Sequence, residues 1–166
     1  MPTSFVKGDL FNTPGLHAYA NGCNCVGAMD SGVAAAFKKR WPRMFAEYAA
    51  RCADGRFHLG DVFVWSEGET VIYNLAIQEH WKKKAKLPAV ARALRKTVEL
   101  AAAAGIERVG VPRIGAGLGG LEWPRLKSVL TAVGGETTVT LVVFEQFVRA
   151  EKSEPAPDAA PGGPTP

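Results

Sequence analysis

Cysteine is scarce in this chain. Cys23, Cys25 and Cys52 are the whole complement. An odd count with one C-x-C pair is no disulfide framework, and a closed zinc site needs more ligands at regular spacing. Histidine is equally thin: His17, His58 and His80 stand far apart, with no nucleophile or metal constellation around them. No apolar run is long enough to span a bilayer, and no basic-then-apolar leader opens the chain. The expectations are no metal or other cofactor, no membrane and a cytoplasmic location. No repeat is visible, and 166 residues suit one domain. With 47% apolar and 22% charged residues, the chain can bury an ordinary globular core.

Charge is uneven. The formal net charge is +4. Beyond residue 150, Lys152 stands against Glu151, Glu154 and Asp158, a net −2, which leaves +6 on the body. That balance favours a phosphorylated or polyanionic partner, though solubility alone also explains it. The Pro, Ala and Gly content of the last segment divides the chain into a body over 1–150 and a flexible tail over 151–166.

The informative stretch is Val111-Pro-Arg-Ile-Gly-Ala-Gly-Leu-Gly-Gly120. It follows a short strand expected from Gly105 to Val109 and precedes a helix expected from Leu121 to about Val133. Glycines let a backbone approach a ligand, and a helix N-terminus offers unpaired N–H groups. Gly115, Gly117 and Gly120 match G-x-G-x-x-G, but a dinucleotide fold needs a longer run of strands and helices after it. A tight turn without a ligand is the alternative.

Elsewhere, strands are expected at Ser4–Val6, Leu16–Ala20, Asp61–Trp65, Thr70–Ala76 and Thr137–Phe144, the third and fourth joined by a hairpin turn at Glu67-Gly-Glu69. Helices are expected at Ala34–Trp41, Phe45–Ala50 and Leu87–Ala104, with Pro42 between the first two and Gly105 capping the third. A polar, basic connection runs from Gln78 to Lys86. A loop rich in small residues runs from Asn21 to Val33. This order implies a three-layer α/β domain whose mixed, mostly parallel sheet carries one hairpin. Ligands on such sheets sit at the carboxyl ends of strands, so the two glycine-bearing loops are expected to line one cleft.

Several ordered pieces resemble the macro domain, the ADP-ribose-binding module: Lys7-Gly-Asp-Leu10; Asn21-x-x-Asn24 with Gly32-Val33-Ala34 and Phe37-Lys-Lys39; Tyr73-Asn-Leu75 with His80-Trp81; and Pro112-Arg-Ile-Gly-x-Gly-Leu118 with Leu121 and Trp123. The likeness runs from Phe5 to about Phe147. Its details are nearest the class that holds the terminal ADP-ribose protein glycohydrolase and the antitoxin that strips ADP-ribose from DNA. The resemblance implies an α/β/α sandwich and assigns roles. Asp9 accepts from the adenine amino group, with Leu10 beside the ring and Phe144 stacking on it. Gly27, Ser31, Gly32 and Val33 face Arg113, Ile114, Gly115, Ala116, Gly117, Leu118 and Gly119 across the diphosphate. Asn21 and Asn24 contact the ribose distal to adenine. For isolated residues, turn formation by Asp9, loop capping by the asparagines and a core position for Phe144 remain the alternatives. Trp41, Trp65 and Trp123 are expected in the core. Lys38, Lys39, Arg40 and the cluster Lys82, Lys83, Lys84 and Lys86 either steer an anion or form a solvated face.

The sequence departs from that class at two places. Its glycohydrolases use a lysine after the Tyr-Asn-Leu strand and an acid after the Gly-x-Gly-Leu turn; Gln78 and Gly119 stand there instead. Gln78 cannot form a Schiff base. Asp30 stands where the class has glycine, and a carboxylate there can activate or orient water. Asp30, Gln78 and Asn24 are therefore the catalytic candidates. The expectation is a monomeric hydrolase that removes mono-ADP-ribose from Glu or Asp esters of proteins. The alternatives are a reader without turnover and a hydrolase of ADP-ribosylated DNA or an ADP-ribose metabolite.

Overall fold

The computed structural model describes residues 3–149. The tail expected over 151–166 lies outside them. Six strands form one sheet: β1 Ser4–Gly8, β2 Ala18–Asn24, β3 Val62–Glu67, β4 Thr70–Gln78, β5 Arg108–Val111 and β6 Thr140–Phe147. Their order is β1-β6-β5-β2-β4-β3. Every neighbouring pair is parallel except the hairpin β3–β4. The helices are α1 Gly32–Arg40, α2 Pro42–Ala53, α3 Leu87–Ala103 and α4 Trp123–Gly135.

Side chains alternate across a strand, and that alternation sorts the core into two layers. Ala20, Tyr73, Leu141 and Val143 point to one face, where Leu94, Val98, Leu126 and Leu130 of α3 and α4 cover them. Tyr19, Ile72, Val142 and Phe144 point to the other, where Phe37, Met44 and Tyr48 of α1 and α2 pack. The result is a three-layer α/β/α sandwich, as the element order implied. Trp41, Trp65 and Trp123 are partly buried and pack at the margins of these layers.

Several boundaries differ from the sequence reading: α1 spans Gly32–Arg40, Pro42 opens α2 rather than separating two helices, and β1 and β4 each run two residues further than expected. β2 does not stop at Ala20 but runs to Asn24, because its backbone ladder with β4 continues through Asn21↔Asn74 to Asn24↔Gln78. Small and polar side chains hid a strand that its neighbours complete. β6 starts at Thr140 and runs three residues past Phe144. α4 starts at Trp123, with Pro124 in its first turn. The strand after α3 begins at Arg108, since Gly105 (φ 74°) and Ile106 still close the helix through bonds to Ala102 and Ala101.

The parallel strands end at one rim. The N-termini of α1 and α3 and the glycine turn after β5 gather there.

Candidate functional site

A cleft of about 880 Å³ opens at that rim. One wall is the loop from Ala28 to Ser31 and the first turn of α1, Gly32 to Ala34. The opposite wall is Pro112 to Gly117 with Gly119. Asn21, Gly22 and Asn24 of β2 and Ile77 and Gln78 of β4 form the floor, and Trp81 stands at the mouth.

Among the described residues, both walls present backbone N–H groups without backbone partners. Ser31 is the N-cap of α1, and the first intrahelical bond is Ala35 N–H to the Ser31 carbonyl at 3.3 Å. The N–H groups of Gly32, Val33 and Ala34 thus have no helical partner and stand at the positive end of the helix dipole. Across the cleft, Gly115 and Gly117 adopt φ 79° and 63°. Their N–H groups donate to no backbone carbonyl among the described residues, whereas those of Ala116, Gly119 and Gly120 close local turns. A turn of this kind leaves the Gly115 and Gly117 N–H groups open to an anion.

Gly22 sits in the floor for steric reasons. A Cβ there would meet Ile77 Cδ1 at 2.8 Å and Ile114 Cβ at 3.2 Å.

The asparagines hold the first wall. Asn21 is 1% exposed and its Nδ2 donates to Asn74 Oδ1 at 3.0 Å. Asn24 Oδ1 accepts from Val26 N (3.1 Å) and Ala28 N (3.2 Å), while its Nδ2 donates to the Ala28 carbonyl at 2.9 Å. Tyr48 Oη lies 2.8 Å from that same Oδ1. Asn24 thus lines the cleft and also caps the loop over it. Burial pushes the Tyr48 hydroxyl well above the usual tyrosine range, so it stays a neutral donor.

The thiols nearby are poor nucleophiles. Burial pushes Cys25 up to about 11, and raises Cys23 and Cys52 as well.

Asp30 is at the rim, exposed, with Lys38 Nζ 3.4 Å from its Oδ1. Gln78 donates through Nε2 to the Lys83 carbonyl. No lysine is among the residues lining the cleft. The stem of Lys84 passes over Gly120, beside the glycine turn. Gly119 is against Ala85, which donates its N–H to the Gly119 carbonyl at 2.8 Å. Arg113 lies over the Trp123 ring at 4.6 Å.

Asp9, Leu10 and Phe144 are not in the wall of this cleft but beside it. Asp9 Oδ1 accepts from Phe11 N (3.3 Å) and Oδ2 from Asn12 Nδ2 (2.8 Å), which starts a short 3-10 turn over residues 10–12. Leu10 is buried over Gly110, where a Cβ would come within 2.8 Å of it. Phe144 is inside β6 and only 7% exposed, so the core position is the one it takes. Phe147, paired with Gly8 and 67% exposed, is the aromatic that the extended strand presents at the rim.

A family model for the macro domain matches residues 20–130. The chain belongs to the macro domain family. Its matches include the DNA ADP-ribosyl glycohydrolase of Thermus aquaticus, 32% identical over 127 residues, which are 74% of this chain and 35% of that protein. The solved macrodomain of Mycobacterium tuberculosis DarG has a TM-score of 0.79 at 31% identity and covers 85% of this chain and 95% of its own. That of Thermus aquaticus DarG has 0.78 at 30%, covering 86% and 97%. This macro domain spans little more than a third of the curated relatives it matches, at 35% and 38% of their length.

Sequence reasoning left three contributors to this macro domain's rim unassigned. Trp81 was visible only as part of a His-Trp motif. Phe147 was hidden by ending β6 too early. Tyr48 looked like one more apolar residue of α2. Among the described residues, no group of three or more His, Cys, Asp or Glu is placed to hold a metal ion, and no helix is long and apolar enough to cross a membrane.

Proposed function

We propose that this macro domain binds ADP-ribose in the 880 Å³ cleft and hydrolyses the bond that joins it to an acceptor, with ADP-ribosylated DNA as the favoured substrate. The observation that carries the reading is the pair of facing N–H sets, Gly32, Val33 and Ala34 on α1 and Gly115 and Gly117 on the glycine turn, which suit a diphosphate held from both sides. The names of the DNA-directed relatives and the lysines beside the mouth favour a nucleic-acid acceptor.

In this reading adenine lies over the rim at Gly8–Leu10, with Asp9 accepting from its amino group and Phe147 offering the exposed ring. The Phe144 ring, beside Gly8, supports that rim from below. Ser31, Gly32 and Val33 face Arg113 through Gly117 across the phosphates, Gly27 lies outside the wall against Ala49 and Cys52 of α2, and the distal ribose rests near Asn21 and Asn24. With no lysine in the wall, water is the nucleophile. Its oxygen bonds to C1″ as the bond from C1″ to the acceptor breaks. Asp30 takes the water proton, and a proton returns to the acceptor. Positioning by the floor and the two loops supplies the rest of the rate.

A second reading is the removal of mono-ADP-ribose from Glu or Asp side chains of proteins. The absence of a wall lysine favours it, because an ester is an activated linkage that asks less of its catalyst. The deciding experiment offers the chain ADP-ribosylated single-stranded oligonucleotide and ester-linked ADP-ribosyl protein in parallel and follows free ADP-ribose by chromatography. Release from the oligonucleotide supports the first reading, and release from protein alone supports the second. Binding without release leaves a reader.

A further inference from the structure

The mouth of the cleft carries an aromatic surface that the ADP-ribose reading does not use. Trp81 is 54% exposed and stands among the cleft residues at its open end. His80 packs against it at 4.9 Å between ring centroids, and Lys82 Nζ is 5.1 Å from the ring. Outside it lies a second hollow of about 530 Å³, lined by Val26, Glu79, His80, Lys82 and Lys83, with Val26 47% exposed. Lys82 and Lys83 line this hollow with a single acid, Glu79, which pairs with Lys83 at 3.2 Å.

The segment that carries Trp81 is pinned at both ends. Gln78 holds the Lys83 carbonyl, Lys83 N–H bonds the His80 carbonyl at 2.9 Å, and Lys82 N–H bonds His80 Nδ1 at 3.1 Å. Ala85 and Lys86 tie back to Gly119 and Ile77, each at 2.8 Å. A solvated charged face needs no such anchoring and no exposed indole at its centre. Fixed aromatics flanked by lysines are how proteins hold unpaired bases and the phosphates between them.

We infer that Trp81 and its lysines form an acceptor platform: the base that carries ADP-ribose stacks on Trp81, and the adjoining single strand runs over the Val26–Lys83 hollow. This rests on the reading of the cleft as an ADP-ribosyl hydrolase site. The linkage fixes the base at the mouth once the distal ribose is seated, so the base must leave its duplex partner to reach the indole. Single-stranded DNA is therefore the form accepted.

The test is stopped-flow fluorescence anisotropy, read before turnover, with free ADP-ribose, an ADP-ribosylated single-stranded oligonucleotide and its duplex. The wild type should prefer the modified single strand over both others, and that preference should weaken with salt. Trp81→Ala should reduce the preference for oligonucleotide over free ADP-ribose by roughly 5- to 150-fold, the range of base–aromatic stacking. Trp81→Phe should restore most of it. Lys82→Gln with Lys83→Gln should flatten the salt dependence. Equal losses for oligonucleotide and free ADP-ribose in Trp81→Ala would overturn the platform, as would equal binding of duplex and single strand. If the wild type binds free ADP-ribose but the oligonucleotide no better, the platform falls and the ADP-ribose site stands. If it binds neither, both fall.

Discussion

Tyr48 reaches from α2 to the Asn24 amide at the end of β2, with Oη 2.8 Å from Oδ1 and no exposed surface on the ring. The contact joins the helical layer to the loop that forms one wall of the cleft. Tyr48→Phe removes one donor and leaves Val26 and Ala28 to hold the amide. The expected loss of stability is about 1–3 kcal/mol, with weaker ADP-ribose binding as the loop loosens. Chemical denaturation and calorimetry on the same variant check both. Unchanged binding with lowered stability would detach the loop from the site.

Two glycines in the turn after β5 separate fold from function. A Cβ on Gly115 would meet Leu121 Cδ1 at 2.8 Å, whereas one on Gly117 meets nothing within 4 Å. Gly115→Ala should therefore destabilise the domain. Gly117→Val should leave it folded, with a backbone cost of about 1–2 kcal/mol at its positive φ, and abolish ligand binding by filling phosphate space. Circular dichroism and calorimetry distinguish the two. Normal binding by folded Gly117→Val would place the phosphates elsewhere.

Much of this was legible in the sequence. The alternating βαβ order gave the three layers, and glycine spacing marked both loops, because turn chemistry and apolar periodicity are local signals. The length of β2 was not legible. Asn21, Gly22 and Cys23 carry no apolar alternation, and only the ladder from β4 makes them a strand. Asn24 showed as a site residue, but its four bonds to Val26, Ala28 and Tyr48 come from chain separated by as much as 24 residues. Phe144 and Phe147 differ by a register that depends on where β6 stops, which a continuous apolar run does not mark.

Asp9 has two duties in this account. Its carboxylate starts the turn at Leu10–Asn12 and, in the proposed complex, receives the adenine amino group. Asp9→Ala should weaken ADP-ribose and AMP equally, by about 1–3 kcal/mol, with a small loss of stability from the turn. Asp9→Asn keeps an acceptor for the turn and should recover the stability. Unequal losses for the two ligands would move adenine away from Asp9.

The mechanism without a wall lysine makes a chemical prediction. Borohydride should trap no enzyme–sugar adduct during turnover. Asp30→Ala should lower kcat by about 10²-fold or more, as loss of a general base does, with a much smaller effect on ADP-ribose affinity. Gln78→Ala should raise KM more than it lowers kcat, because it frees the Lys83 carbonyl and loosens the mouth. A trapped adduct would bring Lys82, Lys83 or Lys84 into the reaction. Full activity in Asp30→Ala would leave Asp30 as the partner of Lys38 alone.

The central claim is that facing N–H arrays on α1 and the glycine turn hold a diphosphate, and calorimetric titration with free ADP-ribose tests it most directly. The account predicts one site per chain with micromolar affinity, roughly −8 kcal/mol, lost in Gly117→Val. No heat and no thermal shift at millimolar ADP-ribose, from a folded wild-type chain, would contradict it.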